Sequence, residues 1–175
     1  EVTQTCLSVD DSLLAFNPDI WTADQLATVI EAEYTDASNN THGNELLYVS
    51  GHFSANAALA ADYETHYLAR DLANSDVDLT GSLWMSPGCH SSYNIVNEHN
   101  LFIDGQQVTF EPDWPQALAQ KGATLIAGTG YQYGDTDFIA YSERLYAELA
   151  RQLRSADGFD PNIALGEALV RTKQA

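Results

Sequence analysis

Two short segments carry residue types able to do covalent chemistry. Ser50-Gly51-His52 closes the apolar run Glu45-Leu46-Leu47-Tyr48-Val49-Ser50. Cys89-His90-Ser91 comes just after Gly81-Ser82-Leu83-Trp84-Met85. The thiolate is the nucleophilic form of cysteine, and an ordinary thiol is mostly protonated at neutral pH, so Cys89 needs a base. His52 fits that role, protonating a leaving amine and then activating water. A turn at Gly88-Cys89 exposes the sulfur and aims the Cys89 amide at a developing oxyanion. His90 is a rival base because it adjoins Cys89, but neighbouring side chains diverge. The residue types alone leave open a buried structural cysteine and a hydrogen-bonded histidine at a strand end. His66 and His99 sit in polar segments and read as surface residues. With His42 included, no pair of histidines has the H-x-x-x-H spacing of a zinc site, so no zinc site is expected.

The positioning elements follow from the same segments. Each apolar run reads as a buried strand that ends in a small-residue turn. Reactive groups collect just past the carboxyl ends of adjacent strands in an open parallel sheet. Cys89 lies 37 residues beyond His52, a span that fits one strand–helix–strand crossover. Residues 1–8 read as a strand and 10–18 as loop. Residues 22–34 read as a helix with Leu26, Ile30 and Tyr34 on one face. Residues 36–43 form a polar loop, 55–61 a loop of small residues, and 63–74 a helix. After Cys89, residues 93–96 start a helix or continue as loop. Asp104-Gly105, between Leu101-Phe102-Ile103 and Val108-Thr109-Phe110, signals a hairpin. Residues 115–121 fit a short helix with Asp113 near its start, and 124–127 a third buried strand. Residues 138–153 form an amphipathic helix through Leu145, Leu149 and Leu153. Asp160-Pro161 caps a last helix to about residue 172. Strands alternating with helices predict an α/β fold with a mainly parallel sheet.

At 175 residues with 45% apolar content, residues 1–175 are expected to form a single domain with a sizeable core. No run approaches a membrane span. The sole Met is Met85 and the chain opens with Glu1, so it is expected to be a processed or partial piece of something longer. Twenty-five acidic residues against seven basic ones give a net charge of −18. Such a surface cannot replace the counterions around phosphate, which excludes nucleic acid as a partner. It keeps a protein soluble, as in secreted or salt-adapted chains, and would attract basic substrates. The expected location is extracellular or at the cell surface. Cys6 and Cys89 could pair; if Cys89 is the nucleophile it stays reduced and Cys6 is a lone buried thiol. Asn39-Asn40-Thr41 is a glycosylation sequon in a secretory pathway.

The order and spacing of the two blocks resemble those of caspase-like cysteine peptidases. Ser50-Gly51-His52 and Cys89-His90-Ser91 look like the His and Cys blocks of metacaspases. The last third is more similar to the gingipain branch. Residues 122–130, Gly-Ala-Thr-Leu-Ile-Ala-Gly-Thr-Gly, resemble its strand and turn after the Cys block, and 162–169 with Lys173 resemble its closing helix. The likeness covers roughly residues 20–175. It implies a three-layer sandwich around a mainly parallel central sheet. It also implies that the N-terminal strand and helix of that fold are missing here and supplied by an N-terminal fragment of the same precursor.

The resemblance further implies a cysteine endopeptidase acting through a Cys89–His52 dyad on a peptide or protein substrate. In the family a glycine follows the catalytic His and its amide helps hold the oxyanion. Phe53 stands there, so the oxyanion donors would be the amides of Cys89 and Phe53, with the Phe53 ring crowding the substrate path. Pro87 replaces an Asp with which metacaspases bind basic side chains, so that specificity does not transfer. The segment holding Tyr131, Tyr133, Asp135 and Asp137 corresponds to a wall of the gingipain-type pocket. Aromatic walls with carboxylates suit Arg or Lys, which implies cleavage after basic residues; an ordinary solvated loop is the alternative. No cofactor is required, and Asp135-Thr136-Asp137 could touch a structural calcium. The rival readings are a catalytically silent binding or assembly module of the same fold, and an unrelated α/β hydrolytic or sugar-binding domain.

Overall fold

The structure is a computed structural model that describes residues 21–35, 38–39, 41–94, 100–103, 106–109, 112–134, 140–153 and 163–175. The expected strand at 1–8, Cys6, the Asp104-Gly105 turn, Asp135, Asp137 and the Asp160-Pro161 cap lie outside the described residues. The chain is α/β and divides into two compact units, 1–131 and 132–175.

The first unit is built on a wholly parallel sheet of three strands, β3 (Leu46–Tyr48), β7 (Leu83–Ser86) and β10 (Thr124–Ala127), in the order β10-β7-β3. These are the three strands expected from apolar runs. Tyr48 faces Met85, and Met85 faces Ile126. Leu47 and Trp84 turn into a core that also takes Trp21, Leu26, Ile30, Tyr67, Leu72, Leu79, Trp114 and Leu118. Helix α1 (Ala23–Ile30) buries Ala23, Leu26 and Ile30 on that core and is opened by a Thr22–Gln25 capping box. Helix α3 (Trp114–Gln120) has the same device in Asp113 and Gln116. It ends in a Schellman motif: the Gly122 amide bonds Ala119 O at 3.1 Å and the Ala123 amide bonds Leu118 O at 2.9 Å. Gly122 takes φ +77, which delivers the chain straight into β10.

Three expected elements differ. Helix α1 stops at Ile30 rather than residue 34, because the Asn44 side chain donates to Val29 O at 2.9 Å and occupies the helix end. Tyr34–Thr35 (β1) then pair with Thr41–His42 (β2), as β-branched and aromatic residues favour. The small-residue segment expected as loop contains strand β5 (Ala57–Leu59), flanked by β4 (His52–Phe53) and β6 (His66–Leu68) in an antiparallel sheet. The expected helix at 63–74 survives only as α2 (Ala69–Asn74). Asp62 accepts from the amides of Glu64 and Thr65 at 3.0 and 2.9 Å, which turns the chain into β6 instead. The hairpin is present as β8 (Asn100–Ile103) and β9 (Gln106–Thr109).

In the second unit, α4 (Tyr141–Leu153) and α5 (Leu165–Gln174) pack together. The buried positions on α4 are Tyr146, Leu149 and Gln152, so its inner face is rotated from the expected Leu145, Leu149, Leu153 line. Helix α5 starts after Ala164, which has an extended backbone and no side-chain cap. No helix among the described residues is long and apolar enough to cross a membrane.

Candidate active site

The two blocks occupy the same end of the parallel sheet. From the facing pair Tyr48 and Met85, His52 and Cys89 each stand four residues further along the chain. Pairing runs one step past β3, where the Val49 amide bonds Met85 O at 3.0 Å. The chain then leaves through Gly51 into β4.

A two-residue hairpin turn, Ala55-Asn56, joins β4 to β5. The Ser54 amide bonds Ala57 O at 2.8 Å, and Ser54 Oγ accepts from the Ala57 amide at 3.1 Å. The first residue of α3 anchors this turn: Trp114 Nε1 donates to Ser54 O at 3.1 Å and its amide to Ala55 O at 2.9 Å. Since Ser54 and Ala57 form a hydrogen-bonded pair, the next pair, Phe53 and Ala58, does not, and the Phe53 N–H points out of the ladder.

Alternation along β4 separates His52 from Phe53. Phe53, Ala58 and Tyr67 share the inner face. The Phe53 ring stands 5.6 Å from that of Trp114. It also covers Gly88: a Cβ built on Gly88 would lie 2.2 Å from Phe53 Cδ2. The residue after His52 thus packs on the residue before Cys89. Phe53 was expected to crowd a substrate path; its ring instead turns toward the core. His52, Leu59 and His66 share the outer face. His52 is exposed, its ring 6.0 Å from that of Tyr63, and its side chain makes no hydrogen bond among the described residues.

Cys89 is half-buried and in no disulfide. Its turn is closed from within. Buried Ser86 Oγ accepts from the Gly88 amide at 3.1 Å, and Ser91 Oγ donates to Gly88 O at 2.7 Å. The same turn is tied to the segment after β10. The His90 amide bonds Gly130 O at 2.9 Å, the Ser92 amide bonds Gly128 O at 3.0 Å, and Ser92 Oγ donates to Ala127 O at 3.0 Å. His90 Nδ1 lies 3.0 Å from Thr129 O, and the His90 ring meets the Tyr131 ring edge-on at 4.7 Å.

The proposed pocket residues are divided. Tyr131, 74% exposed, stands beside His90. Tyr133 belongs to the second unit, where its amide approaches Ser142 Oγ at 3.3 Å. Sequence reasoning missed the contacts of His90 and the Gly88–Phe53 contact, because both join segments far apart in the chain. Among the described residues no cluster of three or more His, Cys, Asp or Glu could hold a metal ion. A groove of about 660 Å³ between α4 and α5, lined by Arg144, Glu148, Arg151 and Lys173, holds neither thiol nor imidazole. No protein-family model, curated protein or solved structure matches the chain.

Proposed function

We propose that the chain is a cysteine endopeptidase of caspase-like, three-layer architecture, with Cys89 as nucleophile and His52 as general acid/base. One observation carries the reading: His52 and Cys89 each follow by four residues a facing pair, Tyr48 and Met85, on neighbouring parallel strands, at the sheet end where reactive groups collect. The reading requires the exposed His52 imidazole, whose ring stands 6.0 Å from that of Tyr63, to come within reach of the Cys89 thiol.

The chemistry balances without a cofactor. The Cys89 proton passes to His52, and the sulfur adds to the peptide carbonyl carbon. The oxyanion is held by the Cys89 amide and by the Phe53 N–H that the ladder leaves outward. The C–N bond breaks, the amine leaves with the imidazolium proton, and a thioester remains. Water, deprotonated by His52, then releases the acid and restores the thiol. A preference for Arg over Lys before the cut fits the exposed Tyr131 ring and a chain charge of −18, since a guanidinium stacks on aromatic faces better than an ammonium does.

The outer-face position of His52 favours a second reading, a catalytically silent binding or assembly module. A thiol-directed peptide probe with a fluorogenic peptide library separates the two. Cys89→Ala is expected to abolish cleavage while keeping the fold, and His52→Ala to slow alkylation of Cys89 at neutral pH. Equal, rapid alkylation of wild type and His52→Ala removes His52 from the mechanism. No cleavage across the library supports the silent module. Cleavage only after acidic or small apolar residues, at both low and high salt, refutes the basic preference.

A further inference from the structure

His90 has a side chain too well placed for a spacer residue. Its backbone adopts φ +56, a conformation uncommon outside glycine but one in which Asn, Asp and His are enriched. Its amide and ring both reach the segment after β10, on Gly130 O at 2.9 Å and Thr129 O at 3.0 Å. A carbonyl only accepts, so Nδ1 carries the proton, and only Nε2 remains to take another. The ring edge is braced by Tyr131 at 4.7 Å, with Tyr93 at 6.1 Å on the turn itself. The next residue of the turn to bond across, Ser92, does so through both amide and hydroxyl.

We infer that His90 is a positioning residue: its ring is a strut that locks the Cys89 turn to the turn after β10 and sets Tyr131 as a substrate-side wall beside the thiol. This rests on the peptidase reading of Cys89. The strut holds a bound peptide relative to the sulfur and takes no proton from it, which leaves acid/base work to His52. The occupant of the wall is the side chain of a peptide residue next to the scissile bond.

Variants of graded chemistry test this. His90→Asn keeps tolerance of positive φ and an N–H donor for Thr129 O; His90→Ala keeps neither. Labelling of Cys89 is measured with iodoacetamide and with peptidyl chloromethyl ketones ending in Arg, Leu or Asp. For the best ketone, second-order labelling is expected to fall about tenfold or more in His90→Ala and to recover within about threefold in His90→Asn. Iodoacetamide rates should stay within twofold throughout, because a small reagent needs no wall. Nitrogen-15 spectra of the histidine rings should place the His90 proton on Nδ1. An Nε2–H tautomer overturns the strut. A drop in iodoacetamide rate in His90→Asn overturns the positioning role and makes His90 the base. Peptidyl labelling of wild type that His90→Ala leaves intact overturns this inference alone. Failure of every ketone to label wild type overturns the peptidase reading, and the wall with it.

Discussion

Adding one methyl group at Gly88 tests how the His and Cys blocks are held together. A Cβ there would sit 2.2 Å from Phe53 Cδ2, 2.5 Å from Cγ and 2.8 Å from Cβ. Carbon atoms normally settle about 3.5–4.0 Å apart, so the ring must retreat by more than an ångström. Its movement is limited by Trp114, whose ring lies 5.6 Å away and which is itself 1% exposed. Overpacking of this kind costs about 1–3 kcal/mol, and the short distances put Gly88→Ala at the upper end, about 2–3 kcal/mol. For a chain of this size that lowers Tm by roughly 5–10 °C. Trp21, Trp84 and Trp114 all lie in the core of the first unit, so tryptophan fluorescence in urea reports on that unit alone. A double-mutant cycle identifies the cause. Phe53→Ala removes the two closest atoms but leaves its own Cβ, so it relieves part of the clash. The double variant should be less destabilised than the sum by about 1 kcal/mol or more. Strict additivity, or a Gly88→Ala loss below about 0.5 kcal/mol, the size of an ordinary surface change, would refute the contact.

Two further outcomes follow from single interactions. The buried Tyr67 hydroxyl donates to Glu31 Oε1 at 2.8 Å, and burial, then the Glu31 carboxylate, push its pKa up. Tyr67→Phe should cost about 1–2 kcal/mol, since the bond is charge-assisted and its loss strands the carboxylate; a urea midpoint equal to or above wild type would contradict this. In the second unit, the Arg151 guanidinium and then the Gln152 amide hold Glu148 down to about 2. A group whose folded pKa is depressed stabilises fully above its unfolded value and loses that effect as pH falls through the folded value. The stability advantage of wild type over Glu148→Gln, read by helical circular dichroism in urea, should therefore be flat above pH 5 and shrink toward pH 2. An advantage that grows on acidification would reverse the sign and exclude this pairing.

Elements legible in the sequence are those whose signal is local. Three apolar runs are β3, β7 and β10, and Asp113 before Trp114-Pro115 marks the start of α3. The candidate residues His52 and Cys89 are picked out by the same local signal, each following one of these runs within a few residues. Strands β5 and β6 are not, because Ala57-Ala58-Leu59 has no strand preference of its own. It is a strand because β4 and β6 flank it and because Ala58, 2% exposed, fits under the aromatic inner face. Once β4 is unrecognised, so is the alternation that sends His52 and Phe53 to opposite faces. The partners of His90 lie about forty residues away in sequence, and no local pattern announces them.

The small antiparallel sheet therefore does two jobs with adjacent residues. Its inner face completes the core through Phe53, Ala58 and Tyr67, and in doing so it presses on the residue before Cys89. Its outer face presents His52 to solvent with Tyr63 alongside. Gly51 is exposed, and a Cβ built there would lie 4.0 Å from Phe53 Cε2, so it imposes no packing constraint on that arrangement. The thiol turn is held by Ser86, Ser91 and the contacts to 127–131, whereas His52 stands exposed on the outer face of β4. The geometry of the Cys89 turn is thus set by the core through Phe53 and Trp114, and not by His52.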